Sequence, residues 1–192
     1  MNLPNFLTII RMALVPVFIV FFYIGQDRGQ GYLILALAVF VIASATDAVD
    51  GHIARKYDLI TNFGKLMDPL ADKVLTTAAF IVLVDVHIIP AWMVIVILAR
   101  EFIITGLRGV AASEGVVIEA GLSGKLKTVF QMVAIGFILL NAAMLSNTVN
   151  LSILLVSIVS SLSVILLWAA VILTVYSGVE YLWKGRKLLN LK

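Results

Sequence analysis

The chain of 192 residues is 62% hydrophobic and only 13% charged, with a formal net charge of +3. Apolar runs of about 20 residues, the length that crosses a hydrocarbon core as a helix, fill most of it, and this excludes a soluble globular protein. The absence of cysteine excludes disulfide bonds, thiolate catalysis and zinc sites built on cysteine.

The predicted fold is all-α, a polytopic membrane protein with six transmembrane helices and a short interfacial segment at the N-terminus. In chain order, the six apolar stretches run over Phe6–Ile24, Gly31–Ala54, Asp68–Val84, Pro90–Ala112, Ser123–Leu145 and Leu151–Tyr176, the last with a polar extension. Because these stretches occupy nearly the whole chain, we expect residues 1–192 to form a single integral-membrane domain. Any chemistry must then lie on the helices or on their short connections.

The first helix is predicted to begin at the membrane surface, with Asn5 as its cap. The preceding residues contain no basic region, and no small-residue cleavage site follows Ile24. We therefore expect the first apolar stretch to remain in the mature protein rather than to serve as a secretory signal.

Positive charge is concentrated on one side of the predicted topology. With six spans, the side that holds both termini and the connections between helices 2 and 3 and between helices 4 and 5 collects nearly all lysines and arginines. The other side holds only Arg28. The positive-inside rule places both termini in the cytoplasm, and the carboxylate cluster described next opens to the same side.

Four carboxylates lie close together in this apolar chain. Asp47 and Asp50 are three residues apart and share a face of helix 2, whereas Asp68 and Asp72 are four apart and share a face of helix 3. A short connection makes these helices antiparallel neighbours, so the two acidic faces can meet. One ionised side chain at bilayer depth costs roughly 2.5 to 3.5 kcal/mol, so four of them require compensation. Hard oxygen ligands select Mg²⁺ or Mn²⁺, and two such ions would offset the charge.

Small residues accompany the carboxylates. Gly51 and Ala54 lie on or beside the acidic face of helix 2, and Gly64 on helix 3 has no side chain. These small residues leave room for a phosphorylated ligand to approach. Arg55 offers a planar fork for a phosphate oxygen. This pattern predicts a two-metal site that acts on a phosphoryl group.

The complete pattern is DxxDGxxAR, eight intervening residues, and GxxxDxxxD, and it resembles the motif of the CDP-alcohol phosphatidyltransferase family. All eight fixed positions are matched, by Asp47, Asp50, Gly51, Ala54, Arg55, Gly64, Asp68 and Asp72. The resemblance implies a six-helix membrane enzyme, usually a homodimer, that transfers a phosphatidyl group from CDP-diacylglycerol to an alcohol and releases CMP.

The resemblance also implies roles for individual residues. By position, the four aspartates look like the ligands of two divalent cations, Mg²⁺ or Mn²⁺, and Asp72 also looks like the catalytic base that deprotonates the acceptor hydroxyl. The pocket for CDP-diacylglycerol would be lined by Gly51, Ala54, Arg55 and Gly64, with Asn5 and Thr8 of the first helix closing it.

Basic residues on helices 4 and 5 are candidates for binding the acceptor alcohol. Arg108 could converge with Lys125 near the cytoplasmic mouth, and such a pair would suit an acceptor that carries phosphate. Arg100 is the third candidate for that phosphate. The alternative interpretation of each charge is that it only enforces topology. Glu101, next to Arg100, is interpreted as a structural partner rather than a catalyst.

From Pro4-Asn5-x-x-Thr8-x-x-Arg11 through RExxITxxR and GKxKT, the sequence looks like bacterial members of the family that use sn-glycerol 3-phosphate. The resemblance implies phosphatidylglycerol phosphate as the product, a role in phospholipid biosynthesis in the bacterial cytoplasmic membrane, and no nucleic-acid partner.

Three alternatives remain open at this point. The same chemistry could use another acceptor, such as inositol phosphate, serine or a lipid. A cation transporter would also place carboxylates inside the membrane, although the chain lacks internal repeats. An aspartate-rich prenyltransferase would share the two-metal logic, but it would need a longer bundle and gives no reason for Ala54 and Arg55.

Overall fold

The computed structural model describes residues 3–56, 62–113, 121–146 and 152–189, and the side chains of residues 6–46, 71, 73–113, 121–146 and 152–183. Within these ranges the chain forms six α-helices, which confirms the predicted all-α fold. They are α1 (Leu3–Arg28), α2 (Gln30–Lys56), α3 (Asn62–Asp85), α4 (Ala91–Ser113), α5 (Leu122–Leu145) and α6 (Ile153–Leu189).

The outer surface of the bundle is apolar. Large hydrophobic side chains are exposed on every helix, among them Ile34, Ile81, Ile95, Leu126 and Ile165. Soluble proteins rarely expose so much apolar surface to water, whereas lipid solvates such a surface. Three helical segments of the described residues are long and apolar enough to cross a bilayer: Phe6–Arg28, Leu122–Leu145 and Ile153–Trp183. The chain is therefore a polytopic membrane protein, and the predicted count of six spans stays a prediction.

Two helix starts differ from the sequence prediction. Helix α1 begins at Leu3, so Asn5 lies inside its first turn and the prediction that Asn5 caps the helix is wrong. Pro4 explains the early start, because the first turn of a helix needs no N–H donor from a proline. Helix α3 begins at Asn62 rather than at Asp68. The apolar pattern marked only the lipid-crossing part, and the helix continues through polar residues before it.

Helices α1 and α2 form a tight antiparallel hairpin. Gly29 links them with φ of +97°, a conformation that favours glycine. Four residues to either side of this link, a Cβ on Gly25 would lie 2.7 Å from Leu33 Cγ, so only glycine permits this approach. Eleven residues to either side, the rings of Phe18 and Phe40 lie 6.0 Å apart. Residues equally distant from Gly29 therefore face each other along the hairpin.

Among the described residues, α3 and α5 pack against this hairpin, and α4 and α6 pack against each other and on α3 and α5. Helices α5 and α6 form a second extensive pair, and α3 contacts α1, α2, α4 and α5. The chain turns from α3 into α4 at His87, which has φ of 59° and so takes the left-handed conformation that often ends a helix. One buried core runs through the bundle and includes Phe18, Phe40, Leu83, Ile97 and Ile135.

Candidate active site

The backbone brings the two halves of the acidic motif onto neighbouring helices. Asp47 and Asp50 lie near the end of α2, and Asp68 and Asp72 lie in the first half of α3. Both segments are helical, so each pair shares a face, and α2 packs against α3. The four aspartate side chains lie outside the described residues. Their convergence around metal ions therefore stays a prediction.

Most of the predicted nucleotide-binding residues also fall in this region. Gly51, Ala54 and Arg55 lie in the last turns of α2, Gly64 in the first turn of α3, and Asn5 in the first turn of α1. Their side-chain surroundings lie outside the described residues. Among the residues whose side chains are described, no group of three or more His, Cys, Asp or Glu lies close enough to hold a metal ion.

The chemistry of the donor set fits a hard divalent cation. The motif offers carboxylate oxygens alone, on two helices that pack together. Mg²⁺ and Mn²⁺ prefer such ligands and accept water or phosphate oxygen at the remaining positions. Asp47, Asp50, Asp68 and Asp72 are accordingly the residues that would hold the ions.

Two polar side chains of helix α1 point into the bundle at the level of the acidic motif. Thr8 and Arg11 are each only 1% exposed, and they extend the buried stripe of α1 that contains Val15 and Phe18. Arg11 and Asp47 both lie 18 residues from Gly29, and Thr8 and Asp50 both lie 21 residues from it. The register of the hairpin therefore places Thr8 and Arg11 level with the first half of the acidic motif.

Arg11 was not among the predicted site residues. A buried guanidinium is costly unless anionic or polar groups surround it, so its burial at this level suggests a role in the site. The sequence did contain a signal, because Arg11 follows Thr8 by three residues and shares its helix face. Without the packing of α1 on α2, however, Arg11 could equally have been a charge at the membrane surface.

The three predicted acceptor-binding residues have different environments. Arg108 and Lys125 are exposed. The side chain of Arg100 is largely buried, with 10% exposed. Its Nη1 lies 3.4 Å from Glu101 Oε1, and its guanidinium lies over the ring of Tyr181, 5.4 Å from the centroid. Among the described residues α4 and α5 do not pack directly on each other, and no contact joins Arg108 to Lys125. Their predicted convergence stays a prediction.

Glu101 has more partners than the sequence indicated. Its carboxylate forms an ion pair with Lys127 of α5, and its Oε2 lies 3.9 Å from Nζ of Lys73 on α3. Lys73 also donates a hydrogen bond to Thr105 of α4. A small polar cavity of about 40 Å³ lies beside these groups, large enough for a water molecule. Sequence spacing gave no sign of this network, because its members come from three helices.

An apolar groove lies between α2 and α5, with a volume of about 470 Å³. Its lining includes Phe40, Val41, Met132, Val133 and Phe137. Ser44 and Ala45 also line it, three and two residues before Asp47, the first aspartate of the motif on α2. The groove therefore leads along the membrane-facing side of the bundle to the acidic motif.

Comparison with known proteins gives a consistent result. A family model described as CDP-alcohol phosphatidyltransferase matches residues 1–176. A protein of Bacillus subtilis named CDP-diacylglycerol–glycerol-3-phosphate 3-phosphatidyltransferase is 45% identical, over 98% of this chain and 99% of its own length.

More distant relatives agree with this match. A protein of Haemophilus influenzae with the same name is 35% identical, over 100% of this chain and 98% of its own length. A protein of Mycobacterium tuberculosis named probable phosphatidylglycerophosphate synthase is 38% identical, over 94% of this chain and 79% of its own.

Proposed function

Because the chain belongs to the CDP-alcohol phosphatidyltransferase family, we propose that it transfers the phosphatidyl group of CDP-diacylglycerol to sn-glycerol 3-phosphate. The products are phosphatidylglycerol phosphate and CMP. The observation that carries this proposal is the 45% identity, over 98% of this chain, to a relative named for that reaction. The unbroken acidic motif, from Asp47 to Asp72, supports it.

The reaction is a displacement at the phosphorus that bears the diacylglycerol. The primary hydroxyl of glycerol 3-phosphate forms a new P–O bond, and the bond from this phosphorus to the CMP oxygen breaks. Asp72 accepts the proton of the attacking hydroxyl, which is general-base catalysis. CMP leaves with the electron pair of the broken bond.

Asp47, Asp50, Asp68 and Asp72 would hold two divalent cations, Mg²⁺ or Mn²⁺. When bound, such ions neutralise the diphosphate and stabilise the charge on the departing phosphate oxygen. The four aspartates lie near the end of α2 and in the first half of α3, so the ions would be held between these two helices.

The CDP part of the substrate lies between α1, α2 and α3. Gly51, Ala54 and Gly64 leave room for it, and Arg55 bonds a phosphate oxygen. Asn5 and Thr8 close the pocket from α1. The buried guanidinium of Arg11, level with Asp47, adds positive charge near the diphosphate or orients the carboxylate beside it.

The acceptor approaches from the side of α4 and α5. Arg108 and Lys125 are exposed cations there, and they bind the phosphate of glycerol 3-phosphate. Arg100 contributes from its largely buried position beside Tyr181. Phosphate recognition by cations favours glycerol 3-phosphate over an acceptor without phosphate, such as serine.

The diacylglycerol part of the substrate remains in the lipid. The apolar groove between α2 and α5 accepts one acyl chain, because it is lined almost entirely by carbon and reaches the turn before Asp47. The headgroup can then sit at the acidic motif while the tails stay outside water.

The proposed topology has six spans, with both termini and the active site on the cytoplasmic side of the bacterial membrane. Residues 1–192 form one domain in it. The chain acts as a homodimer, as is usual in the family.

An acceptor panel tests this function. Purified protein in detergent receives labelled CDP-diacylglycerol and Mg²⁺ with glycerol 3-phosphate, inositol phosphate, serine or glycerol, and CMP and labelled lipid are measured. We expect glycerol 3-phosphate to support turnover at least about a hundredfold faster than serine or glycerol, because charged recognition of phosphate is worth several kcal/mol. We also expect it to be preferred over inositol phosphate, in line with the relatives named for glycerol 3-phosphate. Preference for another acceptor would refute the assignment of glycerol 3-phosphate.

A further inference from the structure

Glu101 lies at the centre of a charge network that joins three helices. Its carboxylate pairs with Lys127 of α5, with Arg100 on its own helix at 3.4 Å, and with Lys73 of α3 at 3.9 Å. The side chain of Glu101 is 17% exposed and that of Lys127 only 6%. The Glu101–Lys127 pair is therefore more strongly coupled than a surface pair, because little water screens it, whereas Lys73 is 32% exposed.

The network joins α3, α4 and α5, whose backbones make few close approaches to one another among the described residues. Helices α3 and α4 are joined tightly at their turn near His87, but this turn is at the other end of α3 from the acidic motif. Among the described residues, α4 and α5 do not pack directly on each other. The pairs of Glu101 with Lys73 and Lys127 therefore connect α3, α4 and α5 near the middle of α3 and α4, next to the last aspartate of the motif.

The partners of Glu101 adjoin residues that the proposed function uses. Lys73 directly follows Asp72, the proposed base, and Lys127 lies two residues beyond Lys125, a proposed acceptor cation. Glu101 itself follows Arg100. A change in the position of α4 relative to α3 or α5 would move the acceptor cations relative to Asp72.

We propose that Glu101 is a positioning residue for the acceptor side of the site, acting through Lys73 and Lys127. This inference rests on the proposed function. Ion pairs of low exposure add little net stability, but they can fix one arrangement among several. The nucleotide-binding residues lie on α1, α2 and the first turn of α3, outside the Glu101 network. Loss of Glu101 should therefore affect the acceptor more than CDP-diacylglycerol.

Glu101→Gln tests the positioning role, because glutamine keeps the size of the side chain and removes its charge. We expect the KM for glycerol 3-phosphate to rise about tenfold or more, while the KM for CDP-diacylglycerol changes less than about threefold. The measurement is steady-state kinetics of CMP release, with each substrate varied in turn and rates expressed per folded protein. Equal changes in both KM values, or no change in either, would overturn the proposal.

Two further variants separate positioning from stability. Glu101→Asp keeps the charge but shortens its reach by one methylene, so it should fold and give a smaller rise in the same KM. Asp85→Asn replaces the charged acceptor of the Tyr23 hydroxyl by a neutral one and so weakens a 2.8 Å hydrogen bond between α1 and α3 at the opposite end of the bundle. It should change thermal stability without altering either KM. If Glu101→Gln is unstable, the comparison of Glu101→Asp with Asp85→Asn decides the question.

The acceptor panel keeps this test independent of the proposed function. If the wild-type protein does not use glycerol 3-phosphate, the function proposed above fails, and the KM comparison is made with the acceptor that the panel identifies. If the wild-type protein uses glycerol 3-phosphate and the Glu101 variants keep its KM unchanged, only the positioning role fails.

Discussion

Asp72→Asn is expected to lower kcat by about 10³-fold or more, in a protein that still folds and extracts into detergent as the wild type does. Asparagine has the size of aspartate but cannot accept the proton of the acceptor hydroxyl, and loss of a general base alone costs 10²- to 10⁴-fold. The same change removes one negative ligand from the proposed metal site. CMP release from CDP-diacylglycerol and glycerol 3-phosphate, measured at saturating Mg²⁺, checks the prediction.

Asp85→Asn is the matched control for this variant, because Asp85 is the aspartate of α3 that lies outside the acidic motif, at the opposite end of the helix. Its carboxylate accepts a hydrogen bond from Tyr23 and has no proposed role in catalysis. Turnover should stay within about threefold of the wild-type value. Near-native turnover by Asp72→Asn would refute both roles assigned to Asp72.

Arg11→Met is expected to reduce kcat/KM for CDP-diacylglycerol by about 10- to 100-fold. Arg11 is buried in α1 at the level of Asp47, and methionine keeps much of its length and apolar contact while removing its charge. Charge-assisted hydrogen bonds are worth about 1.5–3 kcal/mol, which corresponds to this range of rates. Initial rates at limiting CDP-diacylglycerol measure the effect.

Two variants show whether the charge of Arg11 and its location matter. Arg11→Lys keeps the charge and loses the planar fork, so it should recover only part of the activity. Arg28→Met removes the exposed arginine at the other end of α1 and should leave kcat/KM unchanged. If Arg11→Met were as active as Arg28→Met, Arg11 would be a structural residue with no part in the site.

Much of the fold could be predicted from the sequence, because hydrophobic length is a strong signal in a membrane protein. Each of the six apolar stretches corresponds to one helix. The helix starts at Leu3 and Asn62 could not be predicted in this way. Apolar length marks the part of a helix that lies in lipid, whereas the backbone continues as a helix through polar residues on either side.

The acidic motif could also be predicted, because its spacing alone puts each pair of aspartates on one helix face. The burial of Arg11 and the partners of Glu101 on other helices could not be predicted. Arg11 lies level with Asp47 because of the register of the α1–α2 hairpin, which Gly25 and Gly29 permit. The partners of Glu101 come from α3 and α5, so they depend on how the helices pack, and local spacing contains no information about this packing.

Binding of Mn²⁺ to the purified protein, followed by electron paramagnetic resonance, tests the central claim that the acidic motif on α2 and α3 is a metal site. The account predicts saturation at about two ions per chain, as a two-metal phosphoryl-transfer site requires. Binding should be lost in the double variant Asp50→Asn with Asp68→Asn and retained in Asp85→Asn. Absence of specific Mn²⁺ binding, or undiminished binding in the double variant, would contradict the account.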